Sequence, residues 1–223
     1  MARQRCWDCA TGSGQAALGW AEHFDEVIAT DASAEQLARA PEHPRVRFRC
    51  ELVERSPSLE DRSVDLISVA AAIHWFELER FYVEVRRVAR PGALLAAWSY
   101  GAEVHVTPEV DALLQRFVDQ TLDAHWPALF HHVRTAYREL SFPFEELPAP
   151  ELAVTVRWTL DALLGNMRTW SGVRACARAT GSDPVAALEP ELERVWGERE
   201  RERVCTWPLF FRLGRVSPLE PEP

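Results

Sequence analysis

The segment WDCATGSGQ (residues 7–15) ends a short apolar run with Asp8 and continues into small residues and two glycines, Gly12 and Gly14. Glycine adopts left-handed backbone conformations at little cost and leaves room for a bound group, so the pattern predicts a tight turn between a strand and a helix. In a doubly wound sheet this first turn lies at the carboxyl ends of the strands, where ligands bind. We therefore expect this segment to open the fold and to carry its binding site.

Downstream of this turn, short apolar runs alternate with helical patterns. Runs rich in Val, Ile, Leu and Ala cover residues 26–30, 46–50, 64–70 and 93–99. Helical patterns cover residues 14–23, 34–40 and 78–89, and the segment Arg90-Pro91-Gly92 is expected to end the last of them. The near-continuous apolar character of VDLISVAAAI (64–73) and ALLAAWS (93–99) indicates strands buried on both faces. The alternation predicts an α/β fold, a Rossmann-like doubly wound and mostly parallel sheet with helices on both faces.

The alternation of apolar runs and helical patterns ends near residue 100. We expect a helix near 108–123, an aromatic and proline-broken segment over 125–147, a strand at 152–158, two or three helices, and a final strand at 204–214. A chain of 223 residues fits one domain with a sizeable core. We predict a single domain over residues 1–215 and a flexible tail over 216–223.

Composition excludes several classes of function. The formal net charge is −9 and no basic block is present, so nucleic acid is not an expected partner. The chain has no lysine, which excludes Schiff-base chemistry and a Walker phosphate loop. No long apolar run or signal sequence is found, so we expect a cytoplasmic protein without membrane association. Cys6 and Cys9 form a C-x-x-C, interpreted as strand residues, with redox or metal chemistry as the alternative.

Two carboxylates are placed at predicted strand ends. Asp8 closes the first strand, and Asp31 follows 23 positions later at the end of the second, where a carboxylate can accept both hydroxyls of a ribose. These positions suggest a nucleoside ligand. The pattern Gly12-x-Gly14-x-x-Ala17 is also compatible with a nicotinamide dinucleotide. An aspartate so near the glycines repels a pyrophosphate but suits the ammonium and sulfonium groups of S-adenosylmethionine, which we favour.

Four segments of the sequence resemble those of a known protein family. They are DCATGSGQAALGWAEHFDEVIATDASAEQLARA (8–40), VERSP (53–57), SVDLISVAAAIHWFELERFYVEVRRVARPGALLAAWSYG (63–101) and RTWSGVRACARATG (168–181). Together they resemble class I S-adenosylmethionine-dependent methyltransferases, in particular the small-molecule subgroup that includes the trans-aconitate methyltransferases. The resemblance extends from about residue 6 to residue 215. It implies a seven-stranded sheet whose last hairpin is antiparallel.

The resemblance also implies cofactor contacts at matching positions. Asp8, Ala10, Gly12 and Gln15 would contact the methionine moiety, and Asp31 and Ala32 would contact the ribose. Val53 and Glu54 would flank the adenine, and Ala70 and Ala72 would lie beneath the sulfonium. Ala10 departs from the family pattern, which has glycine there, and is expected to weaken binding. Relatives also carry a helical lid before the first strand, and we expect this chain to lack it.

The implied reaction is direct displacement, in which an oxygen, nitrogen or carbon of a small-molecule acceptor attacks the methyl group on sulfur. A carboxylate acceptor needs no base and would be positioned by arginines. A hydroxyl or an acidic carbon needs a base, and His74 is the candidate catalytic residue. A catalytically silent binding protein and a nicotinamide-dependent oxidoreductase are the alternative functions. The oligomeric state is left as monomer or homodimer.

Each candidate has a structural alternative. Asp31 can instead cap the helix that begins near Ser33, Glu54 can be a solvated loop carboxylate, and His74 can be a packed core residue. Most aromatics after residue 100 are expected in the core, with some lining the acceptor pocket. The histidines at 125, 131 and 132 have no carboxylate or cysteine partner at a metal-ligand spacing, so no metal is expected.

Overall fold

A computed structural model describes residues 3–101 and 103–217. Within them the chain forms two compact units. The first unit comprises the described residues of 1–99, 137–150 and 210–223, and the second comprises those of 100–136 and 151–209. The prediction of one domain over 1–215 stays a prediction, and residues 218–223 of the predicted tail lie outside the described part. Val216 is buried, and its N–H donates to the carbonyl of Ala93 at 2.9 Å.

The first unit contains the alternating elements that the sequence predicts. They are β1 (Arg5–Cys9), α1 (Gln15–Trp20), β2 (Glu26–Asp31), α2 (Ala34–Leu37), β3 (Val46–Cys50), β4 (Val64–Ala70), α3 (Leu78–Val88) and β5 (Ala89–Tyr100), whose last residue belongs to the second unit. A short 3-10 helix, Ile73–Trp75, follows β4. Strand β1 pairs in parallel with β2 and β4, while β3 extends the sheet beyond β2 and β5 beyond β4.

The central strands are apolar because the sheet is covered on both faces. Six of the seven residues of β4 are buried, and the side chains of Trp7 and Ile67 are fully buried. The Trp7 indole packs against Phe81 of α3 at a ring distance of 6.0 Å, and its Nε1 donates to the Thr30 hydroxyl at 2.9 Å. Burying such rings stabilises the fold by about 25 cal/mol for each Å² of apolar surface.

The segment Arg90-Pro91-Gly92 behaves differently from the expectation. Helix α3 ends at Val88, and β5 begins at Ala89, so these residues lie in the strand rather than in a stop signal before it. The pairing register between β4 and β5 shifts at this point, and Gly92 has a φ of 82°. A bulge of this kind accommodates a proline that has no N–H to donate.

The end of the chain adds antiparallel strands. Strand β6 (Glu145–Leu147) pairs with the end of β8 (Arg203–Arg215) in the first unit. The strand order is β3-β2-β1-β4-β5-β8-β6, and β7 (Leu152–Trp158) pairs with β8 off this path. The predicted fold class is confirmed, but the described residues form eight strands rather than seven. The difference arises because β8 is long enough to pair with β7 along Arg203–Leu209 and with β6 beyond it.

The second unit is mainly helical. Its helices are α4 (Pro108–Phe117), continued by a π turn (Val118–Leu122) and a 3-10 turn (Asp123–His125), then α5 (Phe130–Arg134), α6 (Leu160–Met167), α7 (Ser171–Thr180) and α8 (Pro184–Trp196). The hydroxyls of Thr107 and Thr159 and the carboxylate of Asp183 cap α4, α6 and α8 by accepting backbone N–H groups. Their apolar faces enclose a core that includes Leu160 and Trp196, both fully buried. Across the described residues, no helix is both long and apolar enough to cross a membrane.

Candidate functional site

The topology gathers the predicted site residues at one edge of the sheet. Strands β3, β2, β1, β4 and β5 are adjacent and parallel, so their carboxyl ends lie along the same edge. Asp8 is the penultimate residue of β1 and Asp31 is the last residue of β2, while Glu54 follows β3 and His74 follows β4. Ligands in open α/β sheets bind at this edge, beside the strand where the order reverses.

The loop between β1 and α1 is shaped by three residues with positive φ. Ala10, Gly12 and Gly14 have φ values of 51°, 58° and 84°. The N–H of Thr11 donates to the Thr30 carbonyl at 2.9 Å, which ties the loop to the end of β2. The sequence therefore predicts the turn correctly, and the alanine at position 10 holds a conformation that favours glycine.

The two glycines of the loop serve different purposes. A Cβ built on Gly14 would lie 2.7 Å from Cζ of Phe48, so this glycine permits the close packing of the loop against β3. A Cβ on Gly12 would meet no atom within 4 Å, so open space lies beside that residue. Open space beside a left-handed glycine is what a bound group needs in order to approach the backbone closely.

Asp31 joins the ends of β1 and β2. Its Oδ2 accepts the N–H of Gly12 and its Oδ1 accepts the N–H of Ser33, both at 2.8 Å. The cap of α2 is Ser33, whose hydroxyl accepts the N–H of Gln36, so Asp31 is not the capping residue. A carboxylate has about four acceptor positions, and Asp31 is partly exposed, so its oxygens retain capacity for ligand hydroxyls.

Asp8 lies beneath the loop. Its side chain is fully buried, its Oδ2 accepts the Thr11 hydroxyl at 2.5 Å, and its Oδ1 has no hydrogen-bond partner among the described residues. Burial raises the pKa of Asp8 to about 6, although interactions with the hydroxyls of Thr11 and Ser68 and with the backbone of Ala17 oppose the rise. A buried and half-satisfied carboxylate costs stability, and such groups concentrate at functional sites.

The remaining predicted cofactor positions surround this loop. Gln15 and Ala32 are exposed, Val53 is buried, and Oε1 of Glu54 accepts the N–H of Glu77 at 3.0 Å. Glu54 therefore stabilises the start of α3 rather than lying free in solvent. The residues present fit a cofactor with a nucleoside and a cationic group, because open space, a partly exposed carboxylate and a buried anion meet at one loop.

The chain reverses direction immediately after β4. Ala70 is half-buried, Ala72 is buried, and Ala71 between them has a φ of 54°. The N–H of Ala71 donates to the carbonyl of Trp98 at 2.8 Å, which fixes this turn to β5. Both predicted positions at this turn are therefore occupied by small side chains at the carboxyl end of β4.

His74 is held by a residue that the sequence did not identify as a partner. Its Nδ1 shares a hydrogen bond of 3.1 Å with the hydroxyl of Tyr137, which is buried and also hydrogen bonds with Ser99. Burial raises the pKa of Tyr137 to about 12, so this hydroxyl stays protonated at neutral pH. Arg212 fixes the backbone of Tyr137 by donating to its carbonyl at 2.9 Å. His74 is half-buried and oriented, as a proton-transfer residue requires.

The C-x-x-C pair consists of strand residues. Cys6 and Cys9 are free and buried in β1, and burial raises the pKa of both thiols well above the ordinary value. Within residues 3–101 and 103–217, no group of three or more His, Cys, Asp or Glu side chains has the arrangement of a metal site.

Comparison with known proteins is consistent with this geometry. Residues 7–97 match a family model described as a methyltransferase domain, Methyltransf_11. The match covers the β1 loop, Asp31 and the segment that follows β4. A relative from Dictyostelium discoideum assigned as a methyltransferase is 29% identical over 192 residues, which are 85% of this chain and 72% of the relative.

Two further matches differ in extent. CRG1 of Saccharomyces cerevisiae, assigned as an S-adenosylmethionine-dependent methyltransferase, is 31% identical over 105 residues, which are 44% of this chain and 36% of CRG1. A solved structure from Anaeromyxobacter dehalogenans, assigned to the type II methyltransferases, is 47% identical with a TM-score of 0.92 and covers 98% of this chain and 92% of that one. The chain therefore belongs to the class I S-adenosylmethionine-dependent methyltransferase family.

Proposed function

We propose that this protein transfers the methyl group of S-adenosylmethionine to a small-molecule acceptor, and that His74 assists as a base when the acceptor carries a hydroxyl or an acidic carbon. The observation that carries the proposal is the loop after β1, in which Gly12 borders open space while its N–H is held by Asp31. S-adenosylmethionine supplies an already activated methyl group. The main task of the chain is then to hold two reactants in attack geometry and to exclude water.

The residues that would hold the cofactor divide by its parts. Asp31, with Ala32 beside it, would accept the ribose hydroxyls while keeping the N–H groups of Gly12 and Ser33. The Asp8 charge would favour the cationic methionine end from beneath the loop. The other proposed contacts are Ala10, Gly12 and Gln15 at the methionine end, Val53 and Glu54 at the adenine, and Ala70 and Ala72 near the sulfur.

The hydrogen bond with Tyr137 supports the role of His74. A tyrosine hydroxyl that stays protonated holds the imidazole ring at Nδ1, so the ring is oriented before an acceptor binds. General-base catalysis of this kind contributes a factor of about 10² to 10⁴ in rate. A carboxylate, the acceptor type of the trans-aconitate subgroup, is ionised at neutral pH and would not use His74.

Calorimetry on the purified protein tests cofactor identity. S-adenosylhomocysteine should give saturable heat, and NADH and NADPH should give none. Asp31→Ala should weaken S-adenosylhomocysteine binding by about 2 to 4 kcal/mol, because it removes charge-assisted hydrogen bonds to the ribose. Asp25→Ala is the matched control, since Asp25 is an exposed carboxylate at the amino end of β2, and it should leave affinity unchanged. Binding of a nicotinamide cofactor alone would refute the proposal.

Turnover with labelled S-adenosylmethionine tests the acceptor class. Phenols and carboxylic acids are offered separately, and each product is identified by mass spectrometry. His74→Gln should lower kcat for a hydroxyl acceptor by at least tenfold, but should leave a carboxylate acceptor nearly unaffected. Tight cofactor binding without turnover of any acceptor would support a catalytically silent binding protein.

A further inference from the structure

The second unit contains two adjoining cavities of its own. Their volumes are about 200 Å³ and 130 Å³, and both are lined by Tyr100, Trp170 and Trp207. Every residue that lines them belongs to the second unit. An apolar cavity of about 150 Å³ is large enough to hold a benzene ring. The pair of cavities therefore has room for a ligand of one or two rings.

The walls of these cavities are aromatic and apolar. In the larger one, Trp158 packs edge-on against Trp207 at a ring distance of 5.1 Å, and Val154 and Val156 of β7 complete the wall. In the smaller one, Trp126 and Phe130 stack at 4.0 Å with an interplanar angle of 9°. Aromatic faces bind planar groups by stacking and by edge-to-face contact, which adds to the stabilisation from burial.

The polar groups of the larger cavity are neutral, and those of Thr169 and Trp170 form hydrogen bonds with Asn166. The Nε1 of Trp170 donates to Oδ1 of Asn166 at 3.1 Å, and the Thr169 hydroxyl donates to the Asn166 carbonyl at 2.7 Å. Neither cavity has a charged side chain among its lining residues. Burying an unpaired charge in such surroundings is costly, so the lining favours a neutral ligand over an anion.

One hydrogen-bond donor in this region lacks an acceptor. The Nε1 of Trp126, whose ring lines the smaller cavity, is buried and has no hydrogen-bond partner among the described residues. A Cβ on Gly172 would lie 2.9 Å from this ring, so α7 packs directly against it and limits its movement. A buried donor without a partner destabilises the protein, and an oxygen of a bound ligand would remove that cost.

We propose that these two cavities form a binding site for a neutral, planar aromatic compound that carries a hydroxyl or carbonyl oxygen, with that oxygen accepting from Nε1 of Trp126. The aromatic part occupies the larger cavity and the oxygen the smaller one. The site lies wholly in the second unit, and its occupancy does not require S-adenosylmethionine. It goes beyond the proposed methyl transfer and does not rest on it.

Isothermal titration of the full chain with 2-naphthol, without any cofactor, tests this site. The ligand should bind saturably, and naphthalene, which has no oxygen, should bind at least fivefold more weakly. The anion 2-naphthoate should bind at least tenfold more weakly, because its charge has no partner in the lining. Equal affinity for 2-naphthol and 2-naphthoate, or for 2-naphthol and naphthalene, would overturn the assigned ligand class.

Two variants on β7 locate the binding. Val154→Arg places a charge in the wall of the larger cavity and should weaken 2-naphthol binding at least tenfold. Val154 is 42% exposed, so the arginine can be accommodated without loss of the fold. Leu152→Arg is the matched control: Leu152 is 51% exposed, lies two residues away on the same face, and does not line either cavity. Equal affinities of the two variants for 2-naphthol, or no saturable binding of 2-naphthol by the parent chain, would refute the site. A failure of the protein to bind S-adenosylhomocysteine would refute the proposed function but would leave the 2-naphthol result unchanged.

Discussion

Replacing Ala10 by glycine is the most direct test of the loop after β1. Ala10 has a φ of 51°, in the left-handed region where a Cβ approaches the following carbonyl oxygen. Removing the Cβ relieves this strain without removing a hydrogen bond of the side chain. Ala10→Gly is therefore expected to stabilise the protein, although glycine within regular structure usually destabilises it.

The magnitude follows from two opposing effects. Left-handed backbone costs a non-glycine residue about 1–2 kcal/mol. Glycine adds conformational entropy to the unfolded chain, which costs about 0.4–1 kcal/mol. The net gain in the free energy of unfolding is about 0.5–1 kcal/mol, equivalent to a rise in Tm of about 1–4 °C for a protein of this size. If a cofactor lies against this loop, loss of the methyl group also leaves it more room, and affinity for S-adenosylhomocysteine should rise.

Urea unfolding and calorimetric titration measure the two effects separately. Ala38→Gly is the control, because Ala38 is an exposed residue with an ordinary φ of −63° at the end of α2. That control should lose about 0.5 kcal/mol of stability with no change in affinity. If Ala10→Gly loses as much stability as Ala38→Gly, the strain assigned to Ala10 is not present.

Three further perturbations test the neighbouring contacts. The pKa of Asp8 is about 6 in the folded protein, whereas its ordinary value is 3.8, so the folded state binds this proton more tightly than the unfolded state does. The Asp8 contribution to stability is therefore complete below pH 4 and is lost as pH rises through 6. Asp8→Asn should remove that loss and raise the free energy of unfolding at pH 8 by about 2–3 kcal/mol, as urea unfolding at pH 5 and pH 8 would show. Gly14→Ala should cost about 2–4 kcal/mol through positive φ and the clash with Phe48, and adding Phe48→Leu should recover part of it in the same assay. Tyr137→Phe should lower kcat about tenfold for a hydroxyl acceptor, with KM for S-adenosylmethionine unchanged in steady-state kinetics, because it frees the His74 ring.

The central strands of the first hundred residues were predictable because they are buried on both faces. The run at 64–70 matches β4 residue for residue, since a covered parallel strand has a nearly continuous apolar signal. The run at 46–50 also matches β3, an edge strand in which only Val46 is buried. The pairing of β8 with both β6 and β7 was not predictable, because strand partners far apart in sequence leave no local pattern. The start of β5 was missed for the same reason: its bulge depends on the register with β4, which no local signal encodes.

For the candidate site, the sequence indicated where the residues lie in the sheet but not which residues they contact. Strand ends and glycines identified Asp31 and the loop, because parallel strands bring their carboxyl ends to one edge. The interaction of Glu54 with the start of α3 and that of Tyr137 with His74 were missed, since their partners lie 23 and 63 residues away in the sequence. Aromatic residues in a proline-broken segment give no signal that separates a core tyrosine from one that orients a histidine.

The departures from favourable local structure converge on one place. Ala10 and Ala71 hold positive φ values, and Asp8 is a buried carboxylate with one oxygen unpaired. Each feature costs stability, and a sequence selected for stability alone would carry glycine at position 10 and a neutral residue at position 8. All three residues lie at the carboxyl edge of β1 or β4, where the proposed cofactor would bind. If a bound cation offsets the destabilisation caused by the buried Asp8 charge, S-adenosylhomocysteine should raise the Tm of the parent protein more than that of Asp8→Asn. Equal shifts in Tm at saturating ligand would show that the charge stabilises the loop but does not contribute to ligand binding.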